Sequence, residues 1–251
     1  MKKLLFVAVF LFSVSVSYAA LTDGLEGYWQ FNCDGSDSSG NSRDLNVNAK
    51  YADGLFDQAM NLGGSTATYA ARESDDDAFD FGSNDFAIQV WVNWNTTAGE
   101  QVIIEKFSGS NGPGWTLTKL SGGEFQFYFS NGVAQSSVVA ITTETWHQVL
   151  INRSGGWLDV DLDTFNIIHS NIGTLSVADT ENPLLIGKRN DGDGRGFATS
   201  GMMDETAIWS RSLTNDEIDS LYNQGAGMVL PEPMTICLLG LGILGLVRNK
   251  K

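Results

Sequence analysis

From Phe86 to Trp94 the chain reads Phe-Ala-Ile-Gln-Val-Trp-Val-Asn-Trp, so Phe86, Ile88, Val90, Val92 and Trp94 fall on one face of an extended backbone, with Gln89 and Asn93 on the other. Side chains alternate across a strand but recur every ~3.6 residues around a helix, so the segment fits a strand and excludes an amphipathic helix. Glu124 to Phe129 repeats the pattern and aligns Phe125, Phe127 and Phe129. β-Branched or aromatic runs at 27–31, 44–51, 67–71, 101–107, 115–120, 137–141, 146–152, 158–168, 184–188 and 203–209 are further strand candidates. Clusters of Gly, Asn, Asp and Ser such as Ser121-Gly122-Gly123 separate them. Many short strands without intervening helices predict an all-β, two-sheet antiparallel sandwich. One helix is expected, at 215–224. There Thr214 and Glu217 form a capping box, Ile218 and Leu221 share a face that should pack on the sandwich edge, and Gly225 supplies the C-cap.

Both ends of the chain carry a different pattern. Lys2 and Lys3, the apolar run from Leu4 to Val16, and Ser17-Tyr18-Ala19 read as a secretory signal peptide over residues 1–19. At the other end Pro231-Glu232-Pro233 precedes an uncharged apolar run from Met234 to Val247, and Arg248, Lys250 and Lys251 follow it. That run is shorter than the roughly 17–25 residues of a stable single span, and its basic end favours the cytoplasmic side. The order of motif, run and basic end resembles the PEP-CTERM sorting signal of Gram-negative bacteria, over residues 231–251. The resemblance implies signal peptidase and an exosortase as processing partners, with cleavage near Pro231, Glu232 and Pro233. It further implies transient inner-membrane association through a short transmembrane segment at 234–247, then the cell surface or extracellular matrix. An ordinary C-terminal anchor is the alternative reading.

Charge narrows the partners. The chain has 30 Asp and Glu against 15 Lys and Arg, a formal net charge of −15. The signal holds two of the lysines and the tail a net two positive charges, so the region between them carries −19. Nucleic acid is thereby excluded as an expected partner. Of the two cysteines, Cys237 lies in the apolar tail and leaves Cys33 without a mate, so the fold rests on its core and not on disulfides.

Between the two signals the sequence resembles a LamG-like jelly roll of the concanavalin A-like lectin/glucanase superfamily, over residues 25–227. The resemblance rests on Leu25-Glu26-Gly27-Tyr28-Trp29-Gln30-Phe31, Asp37-Ser38-Ser39-Gly40-Asn41, Phe56 to Gly64, Asp85 to Val92, Ile103-Ile104-Glu105-Lys106, Thr145 to Val149, Leu184 to Gly187 and Met203 to Leu213, in that order. It implies a jelly-roll β-sandwich with one short C-terminal helix. It also implies one structural calcium ion, for which Asp37, Asn41 and Asp204 are the matching residues. Where the family has a Val-Asp-Gly hairpin this chain has Val160-Asp161-Leu162, which leaves the turn there shifted or longer.

The most enzyme-like feature is Asp159, Asp161 and Asp163, whose alternate spacing would point three carboxylates to one strand face. Related endoglucanases carry a Glu-x-Asp-x-Glu strand, and three shorter aspartates do not reproduce it, so no catalytic residue is expected. His147 and His169 are the only histidines, and no Gly-x-Ser-x-Gly or His-Glu-x-x-His motif accompanies them, so both read as structural. The segment Asn190 to Gly196 departs from the EF-hand pattern and reads as a Gly-rich loop. Trp115, Tyr128 and Trp157 are the candidate ring platforms for sugar binding. The expected function is an exported non-catalytic binding module for a polysaccharide or glycoconjugate. A structural surface protein that binds other proteins is the alternative, and a glycoside hydrolase is the third reading.

Overall fold

The computed structural model describes residues 21–109, 112–129, 132–190 and 197–230. The expected signal peptide at 1–19, most of the Gly-rich loop, and the expected sorting signal with Pro231, Glu232 and Pro233 and the apolar run 234–247 lie outside the described residues. Two antiparallel sheets form a jelly-roll sandwich. The strands are β1 (Leu25–Trp29), β2 (Asn46–Asn48), β3 (Lys50–Asp53), β4 (Gln58–Asn61), β5 (Tyr69–Ala71), β6 (Phe86–Trp94), β7 (Gln101–Phe107), β8 (Gly114–Lys119), β9 (Glu124–Phe129), β10 (Gly132–Val138), β11 (Trp146–Ser154), β12 (Trp157–Leu162), β13 (Phe165–Asn171), β14 (Leu185–Ile186) and β15 (Gly201–Trp209). The eight-stranded sheet runs β13-β12-β11-β6-β15-β4-β3, with β1 also pairing β15; the seven-stranded sheet runs β10-β9-β8-β7-β14-β5-β2.

The core between the sheets is made by the alternation read in the sequence. Phe86, Ile88, Val90, Val92 and Trp94 point inward from β6 and meet Phe125, Phe127 and Phe129 of β9. The rings touch directly: Phe86 and Phe127 lie 6.0 Å apart, and Trp94 meets Phe125 edge-on at 6.1 Å. The opposite face of β6 is also buried, because a second apolar cluster covers it. Helix α1 (Asn215–Tyr222) lies there, with Ile218 and Leu221 against Ala87, Leu150, Ala207 and Trp209. It therefore covers the middle of the eight-stranded sheet, not the sandwich edge. The small residues of the central strands leave room for it, and Tyr222 stacks flat on Trp91 at 6.0 Å. The Thr214–Glu217 capping box is present, but Asn223, in the left-handed conformation, is the C-cap in place of Gly225.

Strand β4 lies outside the candidate runs, β10 begins five residues before the run 137–141, and two further runs are divided. The run 44–51 is divided between the two sheets as β2 and β3. The run 158–168 is a hairpin in which Leu162 pairs with Phe165 across Asp163 and Thr164. Both turn residues have positive φ, 54° and 66°, the signature of a type I′ turn. Such turns favour Asn-Gly, so Asp-Thr gives the sequence no turn signal, and the turn is tight and not lengthened.

Candidate functional site

Strand β12 is half buried by alternation: Leu158, Val160 and Leu162 enter the core, while Trp157, Asp159 and Asp161 face outward. Its neighbour β13 carries an extra residue opposite Val160 and Asp161, which brings Asn166 directly across from Asp161. The Asn166 amide donates to Asp161 Oδ1 at 2.9 Å and to Asp159 Oδ1 at 3.2 Å. His169 Nδ1 lies 2.6 Å from the same Asp159 oxygen. The imidazole stacks on the Trp157 indole at 4.4 Å and 7°, which holds that ring in place although it is 41% exposed. Helix α1 closes the other side. Asp159, Asp161, Thr164 and Asn166 from the hairpin and Asn215, Ile218 and Asp219 from the helix line a cleft of about 370 Å³. Burial pushes the Asp161 carboxyl above its usual range, with Asp159 adding to the rise and Asn166 opposing it. The arrangement offers a fixed aromatic ring face beside a row of hydrogen-bond acceptors.

Asp163 is not part of that row. Its backbone turns at φ 54°, so Oδ1 accepts from the Gln148 N–H at 2.9 Å and Oδ2 meets His147 Nδ1 at 2.6 Å. His147 Nε2 lies 2.9 Å from the Thr142 carbonyl, so both ring nitrogens face acceptors. The Asp163 hydrogen bond is the chief reason that the His147 pKa is raised. The three aspartates therefore do not share one face, and the two that remain are bridged by a single amide.

Of the expected sugar platforms, Trp115 is corrected. It is fully buried, its Nε1 donates to the Phe79 carbonyl at 2.9 Å, and its ring stacks on Phe127 at 6.2 Å. Alternation along β8 sends it into the core with Leu117. Tyr128 is half buried on the outer face of the seven-stranded sheet, edge-on to Phe107 at 5.0 Å. Trp157 faces outward from the opposite sheet, so the two rings cannot serve one site.

The residues matched to calcium are engaged elsewhere. Asp37 Oδ1 accepts from the Tyr28 and Ser39 N–H groups, and Oδ2 from Ser39 Oγ and the Arg43 N–H, at 2.8–3.0 Å. A carboxylate has about four acceptor positions, and Asp37 uses that number within its loop. Asn41 donates its amide to the Leu25 carbonyl at 2.8 Å. Asp204 belongs to a different set, accepting from the Leu55, Phe56 and Glu205 N–H groups. In this geometry the three residues do not fit a common cation.

Two groups went unread in the sequence. Asp75, Asp80 and Asp179 gather their oxygens within 4.8 Å of one another. The fully buried Lys106 ammonium sits against Asp75, Asp80 and the Thr180 carbonyl, each at 2.6 Å, and supplies the counter-charge. Beside Asp204, the fully buried Glu205 takes φ 46° at a bulge in β15 and accepts from the Tyr28 hydroxyl. Burial is the main cause that raises Asp204 to about 7 and Glu205 to about 8.

A sequence profile described as the concanavalin A-like lectin/glucanases superfamily matches residues 63–219. No curated protein sequence matches the chain. Among solved structures it is similar to the binding domain of Paraclostridial Mosquitocidal Protein 1, with a TM-score of 0.64 and 17% identity over 82% of this chain and 53% of that one. It is similar to domain 4 of AbnA, a GH43 extracellular arabinanase from Geobacillus stearothermophilus solved with arabinotriose, with a TM-score of 0.59 and 16% identity over 81% and 98%. It is also similar to the binding domain of Botulinum Neurotoxin DC in complex with SialylT, with a TM-score of 0.60 and 15% identity over 80% and 52%. The chain thus spans about half the length of the toxin structures and nearly all of the arabinanase domain. At such identities the likeness is one of fold.

Proposed function

The chain belongs to the concanavalin A-like lectin/glucanases superfamily, and from that premise we propose that it is an exported, non-catalytic module that binds a polysaccharide or glycoconjugate at the β12–β13 face. The observation that carries this reading is Trp157, an exposed indole held flat by His169 next to a cleft lined by carboxylates and amides. Sugar rings present apolar C–H faces that pack on aromatic rings, and hydroxyls that donate to carboxylates, so both halves of the site have a complement. The arabinotriose and SialylT complexes of similar folds support a saccharide as the ligand class.

A non-catalytic role is supported by the carboxylates. Glycoside cleavage needs two acids with separate duties, one proton donor and one base or nucleophile. Asp159 and Asp161 are tied to one Asn166 amide, and Asp163, the third member of the sequence pattern, serves His147. The test is binding of residues 21–230 to a polysaccharide array, with Trp157→Ala as the control. Loss of binding of tenfold or more in the variant, roughly the 1–2 kcal/mol of a ring contact, is the expected result. Equal binding by the variant, or reducing ends released by the wild type, would reject this reading.

A second reading has one observation behind it. Phe165, 74% exposed on β13, and Val133 and Val138 on β10, at 53% and 66%, lie on the edge strands of the two sheets, which come into contact. Exposed apolar residues on edge strands suit a protein partner. Phe165→Asp would abolish such an interaction and leave saccharide binding unchanged.

A further inference from the structure

The chemistry of the cleft says which saccharides it can accept. Asp159, Asp161 and Asp219 line it, and no lysine or arginine does among the described residues. Ionised carboxylates accept hydrogen bonds and donate none. The nearby donors are largely committed: the Asn166 amide to Asp161 and Asp159, and the His169 Nδ1 edge to Asp159. Asn215 and Thr164 remain as neutral polar groups in the lining. The start of helix α1, whose N–H groups would attract an anion, carries Asp216 and Glu217 in its first turn and is closed by the Thr214 cap. The charge of −19 between the two terminal signals adds long-range repulsion of the same sign.

We infer that the ligand is a non-acidic saccharide, one that turns hydroxyl or amine hydrogens toward Asp159, Asp161 and Asp219 and lays an apolar ring face on Trp157. The inference rests on the saccharide-binding reading above and goes beyond it by assigning the three aspartates the discrimination against acidic sugars. A sialylated, uronic or sulfated chain would bring its anion to a wall of acceptors with no lysine or arginine among the described lining residues to receive it. Trp157 sets whether a ring binds; the aspartates set which rings are rejected.

The test uses residues 21–230 and matched oligosaccharides of equal length: neutral, free-amine glucosamine, and uronic or sialylated. Titration calorimetry at low salt should show the acidic member roughly tenfold or more weaker than its neutral counterpart. The isosteric pair Asp159→Asn and Asp161→Asn should narrow that gap, and 0.5 M salt should narrow it in the wild type, because screening shortens to about 3–5 Å. Trp157→Ala should weaken all members alike. Acidic oligosaccharides bound as tightly as neutral ones in a Trp157-dependent way would overturn this inference and leave the saccharide reading standing. Binding that ignores Trp157, or none across the whole series, would overturn both. A cooperative melt in each variant distinguishes a lost contact from a lost fold.

Discussion

At the residue scale, two acids are buried side by side, which disfavours their charged forms. Asp204 and Glu205 are both 0% exposed, and Glu205 Oε1 has no hydrogen-bond partner among the described residues. Burial disfavours the charged form, so folding raises both pKa values, to about 7 and about 8, from the usual carboxylate range near 4. Between pH 4 and 8 the folded state therefore binds more protons than the unfolded state. Stability therefore falls as pH rises through this window and levels off above it, by at most about 5 kcal/mol for each group. Glu205→Gln removes one charge and keeps an acceptor for Tyr28. It is expected to flatten part of the decline and to raise Tm at pH 8–9 relative to the wild type. Parallel pH profiles for the two proteins would show that Glu205 titrates alike in the folded and unfolded states, so that burial does not raise its pKa. The sequence gives no sign of this pair's burial, since Asp-Glu ordinarily reads as surface; only the bulge in β15 and the cover of β1 and the 54–57 loop bury it.

At the element scale, the β12–β13 hairpin shows what was legible and why the rest was not. Alternation set Asp159 and Asp161 on one strand face, and the structure places both outward together with Trp157. The same periodicity ran on through Asp163, because period two has no term for a turn that lacks its usual residues. Trp115 and Trp157 look alike in sequence; which is core and which is surface depends on the partner strand each faces. His169, Asn166 and Asp219 join the site only through strand pairing and helix packing, so no local pattern announces them. The central strands were legible because each face repeats over nine residues, whereas the three-residue β2 carries too few repeats to be told apart from β3 in the run 44–51. The turn itself yields a prediction. Thr164 is β-branched and sits at φ 66°, where side chains crowd the backbone. Thr164→Gly should stabilise the protein by about 1 kcal/mol, the relief at φ exceeding the added freedom of the unfolded chain. Chemical denaturation measures it, and a loss of stability would mean that the Thr164 side chain holds the cleft in place.

At the scale of the whole molecule, the two ends of the described chain meet. Leu21 and Leu230 are 0% and 1% exposed in the same apolar cluster, beneath α1 and against the outer face of the eight-stranded sheet. Trp209 Nε1 donates to the Leu21 carbonyl at 2.7 Å, and the Leu230 N–H donates to the Tyr28 hydroxyl at 3.1 Å. Packing thus runs past the boundaries of 25 and 227 that the sequence suggested, because Leu21 at one end and Met228 and Leu230 at the other belong to or pack against the cluster. The proposed processing sites lie just outside this core: the signal cut at Ala19 precedes Leu21, and Pro231-Glu232-Pro233 follows Leu230. Cleavage at both would leave the cluster whole. A protein ending at Gly227 loses the burial of one leucine, worth about 1.5–3 kcal/mol, together with the hydrogen bond to Tyr28. Residues 21–230 are therefore expected to exceed residues 21–227 by roughly 2–4 kcal/mol in urea denaturation, with an unchanged m-value. Equal midpoints for the two would show that Leu230 contributes no net stability and that the domain is complete at Gly227.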